Sequence, residues 1–166
     1  MRAGTSGILG EAGLPPQRLR LELTESVVMT NPAKSCELLG ALSASGVGLA
    51  LDDFGTGYSS LGYLQQFPFT CLKLDRCSVQ DRPGSNRSET ITRAVIALGQ
   101  TLRMRVIAEG VENQQQLESL QSLGCDEAQG YLLSRPLSFS ELVEWMLNRR
   151  NGVFCESNKL GARRDQ

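Results

Sequence analysis

Carboxylates dominate the residues in this chain that could do chemistry. Glu22 and Glu25 stand in "LRLELTES", Asp52 and Asp53 in "LALDDFGTGYSS", Lys73 and Asp75 in "TCLKLDR", Glu109 and Glu112 in "VIAEGVE", and Gln129 in "CDEAQGY". Each group follows or ends a short apolar run. Acids crowded on one rim repel each other unless positive charge lies among them. Protonation would relieve one pair. Divalent cations would relieve several, and two of them roughly 3.5–4 Å apart form the usual clamp for phosphodiester cleavage. Asp52 and Asp53 would then supply a bridging ligand and a further one. Lys73 would supply a positive donor for an attacking water or a phosphate oxygen. Gly55 and Gly57 would let the following loop turn sharply against the site. The chain has no histidine, which removes histidine acid–base chemistry and most zinc sites. All-oxygen ligands point to Mg²⁺ or Mn²⁺.

Each residue has a plainer reading on its own. A strand-end acid is commonly a helix cap or a turn residue, Asp-Asp is a turn signal, and a single lysine is commonly solvated. "FGTGYSSLG" misses the dinucleotide-binding glycine pattern, with Ser60 where the third glycine belongs. The weight lies in the set, since independent turns would not place acids at the end of nearly every apolar run.

The elements that must position these residues follow from a repeated unit: an apolar run, a polar end, a turn, then a stretch of helical period. The runs cover 19–26, 47–55, 70–77, 104–111 and, more weakly, 125–133. Asn31 is placed to cap a helix with Pro32 at its first position, Leu38, Leu39 and Leu42 inside, and Gly46 as the stop. A short helix is expected near 59–66, ended by Pro68. Ile91, Ala94, Val95, Leu98 and Leu102 mark one helix face, and Leu117, Leu120 and Leu123 another. The capping box Ser138-x-x-Glu141 opens a last helix expected to bury Leu142, Trp145 and Met146. Strands alternating with helices predict a parallel sheet with helical cover, whose chemistry lies beyond the C-terminal strand ends.

The 166 residues suit one domain, and the net charge of −1 offers no basic field for a nucleic-acid polymer. No apolar run is long enough to span a membrane, and the N-terminus lacks a signal-peptide layout. Five scattered cysteines without a C-x-x-C pair read as reduced thiols, which places the chain in the cytoplasm.

The motifs "LELTES", "LDDFGTGYSSL", "LKLDR", "VIAEGVE" and "CDEAQGYLLSRPL" together resemble those of the EAL domain family of bacterial cyclic di-GMP phosphodiesterases. The intervals agree too: 30 residues from Glu22 to Asp52, 21 to Lys73, 36 to Glu109 and 20 to Gln129. The resemblance implies an α/β fold, a TIM-like (β/α) barrel of the EAL type whose first strand runs antiparallel to the rest. It implies hydrolysis of cyclic di-GMP to linear pGpG with two Mg²⁺ or Mn²⁺ ions. By position, Glu22, Asp52, Asp53 and Glu109 match metal ligands, with Lys73, Glu109 and Asp52 the catalytic set and Lys73 near the nucleophilic water. Asp75 and Gln129 match substrate-lining residues. Glu25 matches the glutamate that steadies the loop after "DDFG", and that loop, 53–60, matches a segment used to form homodimers.

Departures from the pattern are equally plain. The chain holds no Glu-Ala-Leu triplet, nor the family's asparagine ligand and phosphate-contacting arginine. Ser78 replaces a phenylalanine, and Arg103-Met104 replaces a glycine-containing turn. The expected layout is therefore a remnant of a preceding helix at 1–13, a partial domain at 14–150 with about five of eight strand–helix units, and a polar tail at 151–166. Five strands cannot close an eight-stranded barrel. Three functional readings follow: a phosphodiesterase portion completed upstream or by another chain, a non-catalytic module that binds cyclic di-GMP or a protein, or a shortened product without a role. A receiver-type phosphoacceptor domain also combines acids with a lysine, but it carries its acidic pair on the first strand.

Overall fold

A computed structural model of the chain describes residues 2–54, 61–79 and 86–150. Helix α1 (Arg2–Glu11) leads through a turn at Pro16–Arg18 into strand β1 (Arg20–Thr24). Then come α2 (Glu25–Met29), α3 (Pro32–Ala44), β2 (Gly48–Phe54), α4 (Leu61–Leu64), β3 (Cys71–Leu74) and α5 (Arg76–Val79). The described chain closes with α6 (Asn86–Thr101), β4 (Arg105–Ala108), α7 (Gln114–Ser122), β5 (Glu127–Ala128) and α8 (Phe139–Arg150). The strands form one all-parallel sheet in chain order, β1-β2-β3-β4-β5. This is the expected α/β arrangement of five strand–helix units.

Local chemistry sets the helix ends. The Asn31 side chain accepts a hydrogen bond from the Lys34 amide at 3.2 Å, and Pro32 opens α3 as expected. Asn113 and Gln116 form a reciprocal capping box on α7. At Ser138 the Glu141 carboxylate accepts from the Ser138 amide at 2.7 Å.

Register divides the sheet into two faces. Leu23, Leu51, Leu72 and Val106 align across four strands. They pack with Val28, Leu39, Leu42, Val95, Ile96, Leu117 and Leu120 into the main core beneath the helices. Glu22, Ala50, Cys71 and Arg105 align on the opposite face, as do Lys73, Ile107 and Glu127. That face carries only a small apolar patch, Ala50, Cys71 and Ile107. Around it the strands alternate polar with apolar, unlike the continuous apolar runs of a sheet covered on both sides.

Several expectations need correction. The fifth run shrinks to a two-residue strand, Glu127–Ala128, because the chain leaves the ladder where Val111 N donates to Gln129 O at 3.1 Å. Glu25–Met29 forms a short helix, not the end of the first strand. Leu38 is 39% exposed while Leu39 is buried, and on α6 Ala94 is exposed while Thr92 and Ile96 are buried. The rest of both expected faces turns inward, with Leu39, Leu42 and Val95 buried and Ile91, Leu98 and Leu102 packed on the core. Leu142 and Met146 are 40% and 53% exposed, and Trp145 is only partly covered. Periodicity marks the apolar stripe of α8, but Leu142, Met146 and Leu147 of that stripe stay exposed. The loop glycines Gly55 and Gly57, all of 55–60 in the expected dimer loop, and the tail 151–166 lie outside the described residues.

Candidate active site

The polar face gathers its acids at the C-terminal strand ends. Lys73 is the hub. Its ammonium lies 2.5 Å from Glu22 Oε2, 2.7 Å from Glu109 Oε1 and 3.4 Å from Asp52 Oδ1. These four residues come from β1, β2, β3 and the residue after β4, and span 87 positions of sequence (109 − 22). They meet because parallel neighbours bring their C-terminal ends to one rim. The Lys73 side chain is 7% exposed, Asp52 and Glu109 are 24% exposed, and Glu22 is 45% exposed. The cluster is therefore sealed toward the sheet and open past Glu22. Burial works against the charge on Lys73, but hydrogen bonds to Glu109 and Glu22 and the nearness of Asp52 outweigh it, so its pKa lies above that of an ordinary lysine.

A bulge separates the two aspartates. Leu51 pairs with Leu72 but Phe54 pairs with Leu74, so β2 holds one extra residue at this point. Asp53 takes φ +56°, in the left-handed region that aspartate tolerates better than most residues. The Asp52 carboxylate accepts from the Asp53 amide at 3.0 Å. The extra residue resets the alternation: Asp52 stays on the polar face beside Lys73, and Phe54 turns into the core at 5% exposure. Asp53 is exposed at the rim.

The other candidates stand around this centre in different roles. Asp75 accepts from the Cys77 amide at 2.8 Å, the plainer capping role. Glu112 is paired with Arg76 at 2.5 Å. Glu25 opens α2, and Gln129 is exposed just after β5, tied by its backbone to Ala108 and Val111. Two glycines hold this edge of the rim. Gly110, at φ +68°, lies under the Arg76 stem, and a Cβ on Gly130 would run into the Val111 backbone. The structure thus groups Glu22, Asp52, Lys73 and Glu109, and leaves Asp53, Asp75, Gln129 and Glu25 at the periphery.

Sequence reasoning missed a second polar cluster on the same face. Glu127 is 2.9 Å from Arg105 and 4.0 Å from Arg20. The signal was present in the alternation of Arg20 with Glu22 and of Cys71 with Lys73, which marks a polar face over whole strands and not only their ends.

The donor chemistry suits a hard divalent cation, since every acid offers carboxylate oxygens. As the side chains stand, however, no three acids among the described residues form a metal-holding group. The point where Glu22, Asp52 and Glu109 converge is taken by the Lys73 ammonium. Lys73 thus supplies the positive donor expected among these acids.

The family model described as the EAL domain matches residues 5–136. The cyclic di-GMP phosphodiesterase NbdA of Pseudomonas aeruginosa is 47% identical over 138 residues, which cover 83% of this chain and 18% of NbdA. A structure of the MucR phosphodiesterase of the same organism, in complex with cyclic di-GMP, is 44% identical with a TM-score of 0.80. It covers 82% of this chain and 56% of that one. The manganese and cyclic di-GMP complex of Klebsiella pneumoniae BlrP1 is 39% identical with a TM-score of 0.71, covering 77% of this chain and 33% of that one. The chain spans about a fifth of the length of most curated relatives it matches.

Proposed function

This chain belongs to the EAL domain family, and on that premise we propose that its strand-end cluster is part of a cyclic di-GMP phosphodiesterase site. The observation that carries the reading is the convergence of Glu22, Asp52 and Glu109, from three separate strand ends, on one buried positive charge. Relatives named as phosphodiesterases, and one solved with manganese and cyclic di-GMP, support it.

Residues Glu22, Asp52, Asp53 and Glu109 would hold Mg²⁺ or Mn²⁺, two ions in a complete site. When bound, such ions supply the positive charge that polarises the phosphodiester and activates a water. The chain's own contribution is positional. Lys73 presents a charged donor beside the acids at which developing negative charge can be met. Asp75 and Gln129 flank the substrate from the ends of β3 and β5, and Glu25 steadies the loop after Phe54. The product is linear pGpG. The working unit is residues 14–150. It acts in the cytoplasm and pairs through the 53–60 loop. Among the described residues no helix is long and apolar enough to cross a membrane.

These 166 residues contain no Glu-Ala-Leu triplet. We place the remaining ligands outside them, so the chain alone is a weak or inactive catalyst. The test is release of pGpG in Mn²⁺ by the chain alone, and by the chain fused behind the N-terminal part of the MucR phosphodiesterase domain. Little release from the first and clear release from the second are expected, with Asp52→Asn abolishing the latter. An active Asp52→Asn fusion would contradict the reading. The second reading, a non-catalytic cyclic di-GMP or protein-binding module, is favoured by the lysine at the centre of the acids. It predicts calorimetric heats with cyclic di-GMP but no pGpG even from the fusion.

A further inference from the structure

The apolar floor of the polar face is sealed without hydrophobic cover. Ala50 and Cys71 are fully buried and Ile107 nearly so, yet among the described residues no other buried apolar side chain joins these three. The charged residues around them supply the cover, laying their stems on the sheet and keeping their heads in water. Besides burial itself, the charges of Arg20, Glu127, Arg105 and Glu22 act on the Cys71 thiol. Three of these residues are joined. Glu127 turns one carboxylate oxygen to Arg105 Nη1 at 2.9 Å and the other to Arg20 Nη1 at 4.0 Å.

The second of these pairs crosses the whole sheet. Strands β1 and β5 are its outer strands, with β2, β3 and β4 between them. In a flat sheet four spacings of about 4.8 Å would hold them about 19 Å apart, beyond the combined reach of an arginine and a glutamate. The face is therefore concave, and Glu127 closes the concavity. It does so level with the acid cluster, since Glu127 pairs with Ile107 and Ile107 with Lys73. Arg20 and Glu22 lie two apart on β1 and share the polar face.

We infer that Glu127 is a positioning residue: by bridging Arg20 to Arg105 it straps the first strand to the last, seals the floor over Cys71 and holds Glu22 toward Lys73. The strap stands on its own contacts, and only its bearing on catalysis rests on the phosphodiesterase reading. The side chains of Arg20, Glu127 and Arg105 are 30%, 41% and 53% exposed, so dissolved salt screens the strap and leaves the apolar core on the other face untouched.

Cysteine alkylation of the full chain, read by mass spectrometry, tests the strap. Cys77 is exposed and serves as the reference, and Cys125, buried in the core on the opposite face, reports any general loosening. Glu127→Gln and Arg20→Gln should each raise Cys71 alkylation about threefold or more relative to Cys77, with Cys125 unchanged. Salt at about 1 M, where charges act over only roughly 3 Å, should do the same to the wild-type chain and add little in Glu127→Gln. Reductive methylation should label Lys73 about twofold faster in Glu127→Gln, because Glu22 is no longer held, with exposed Lys34 as the reference. Cys71 unmoved in both variants, or rising in step with Cys125, would overturn the strap. Faster Cys71 with unchanged Lys73 would overturn the positioning role. Should neither variant fold, the wild-type salt response decides, and a flat Cys71 rate contradicts the strap. None of these readouts needs metal or substrate. The strap can therefore fail with the phosphodiesterase reading intact, and a fusion that releases no pGpG would remove that reading but leave the strap.

Discussion

Buried groups whose neutral or paired state the fold enforces give this molecule a defined response to alkali. Burial pushes the Cys125 thiol up to about 11, from 9.0 in the open chain. Burial also raises Cys71, at the centre of the polar face, against the opposing pull of Arg20. For both, the folded state keeps its proton where the unfolded chain has begun to lose it. Their contribution is complete below pH 9 and declines as pH climbs through the folded values. Lys73, raised by its carboxylates, acts with the same sign at still higher pH. We therefore expect urea midpoints to hold steady to about pH 9 and then fall, with about 2 kcal/mol lost from Cys125 alone by pH 11. A flat profile between pH 8 and 11 would contradict this assignment. The acids themselves were legible from their positions after apolar runs. That Lys73 would gather three of them was not, because pairing partners 51, 21 and 36 residues apart meet only once strand register is fixed.

Helix ends show most clearly where sequence departures become energy. Arg103 follows α6 at φ +57°, and the Met104 amide returns to Gly99 O at 2.9 Å. This is the left-handed stop at which glycine is preferred. The departure at Arg103-Met104 thus has a specific cost, since a side chain in this conformation is unfavourable by about 1–2 kcal/mol. Glycine's greater freedom in the unfolded chain offsets part of the gain, so Arg103→Gly should stabilise the chain by about 1 kcal/mol. Thermal denaturation that shows no rise, or a fall, would rule this out. Caps at Asn31 and Ser138 could be read in advance because the whole interaction lies within four residues. The exposed stripe of α8, with Phe139 at 82% exposure and Leu147 at 53%, could not. A periodic pattern states that a face needs cover but not which element supplies it. The short strand β5 eluded the reading for a related reason: its length depends on pairing with β4, not on its own composition.

The whole sheet is bowed so that its first and last strands communicate. Arg20 of β1 reaches Glu127 of β5 at 4.0 Å, although β2, β3 and β4 lie between them in the sheet. That contact requires a concave polar face, with Glu127 in register with Lys73 and Arg105 in register with Glu22. Parallel topology was readable from the alternation of runs and helices, and the family motifs from their order and spacing. The division of labour between the two faces emerges only from register, which sets Glu22 beside Ala50 and Lys73 beside Ile107. On the proposed function, the C-terminal rim of this polar face would hold divalent cation. The most direct measurement is anomalous diffraction from crystals of the chain soaked in high manganese. A peak is expected among the carboxylates of Glu22, Asp52 and Glu109. A map without a peak there would contradict the metal-holding role.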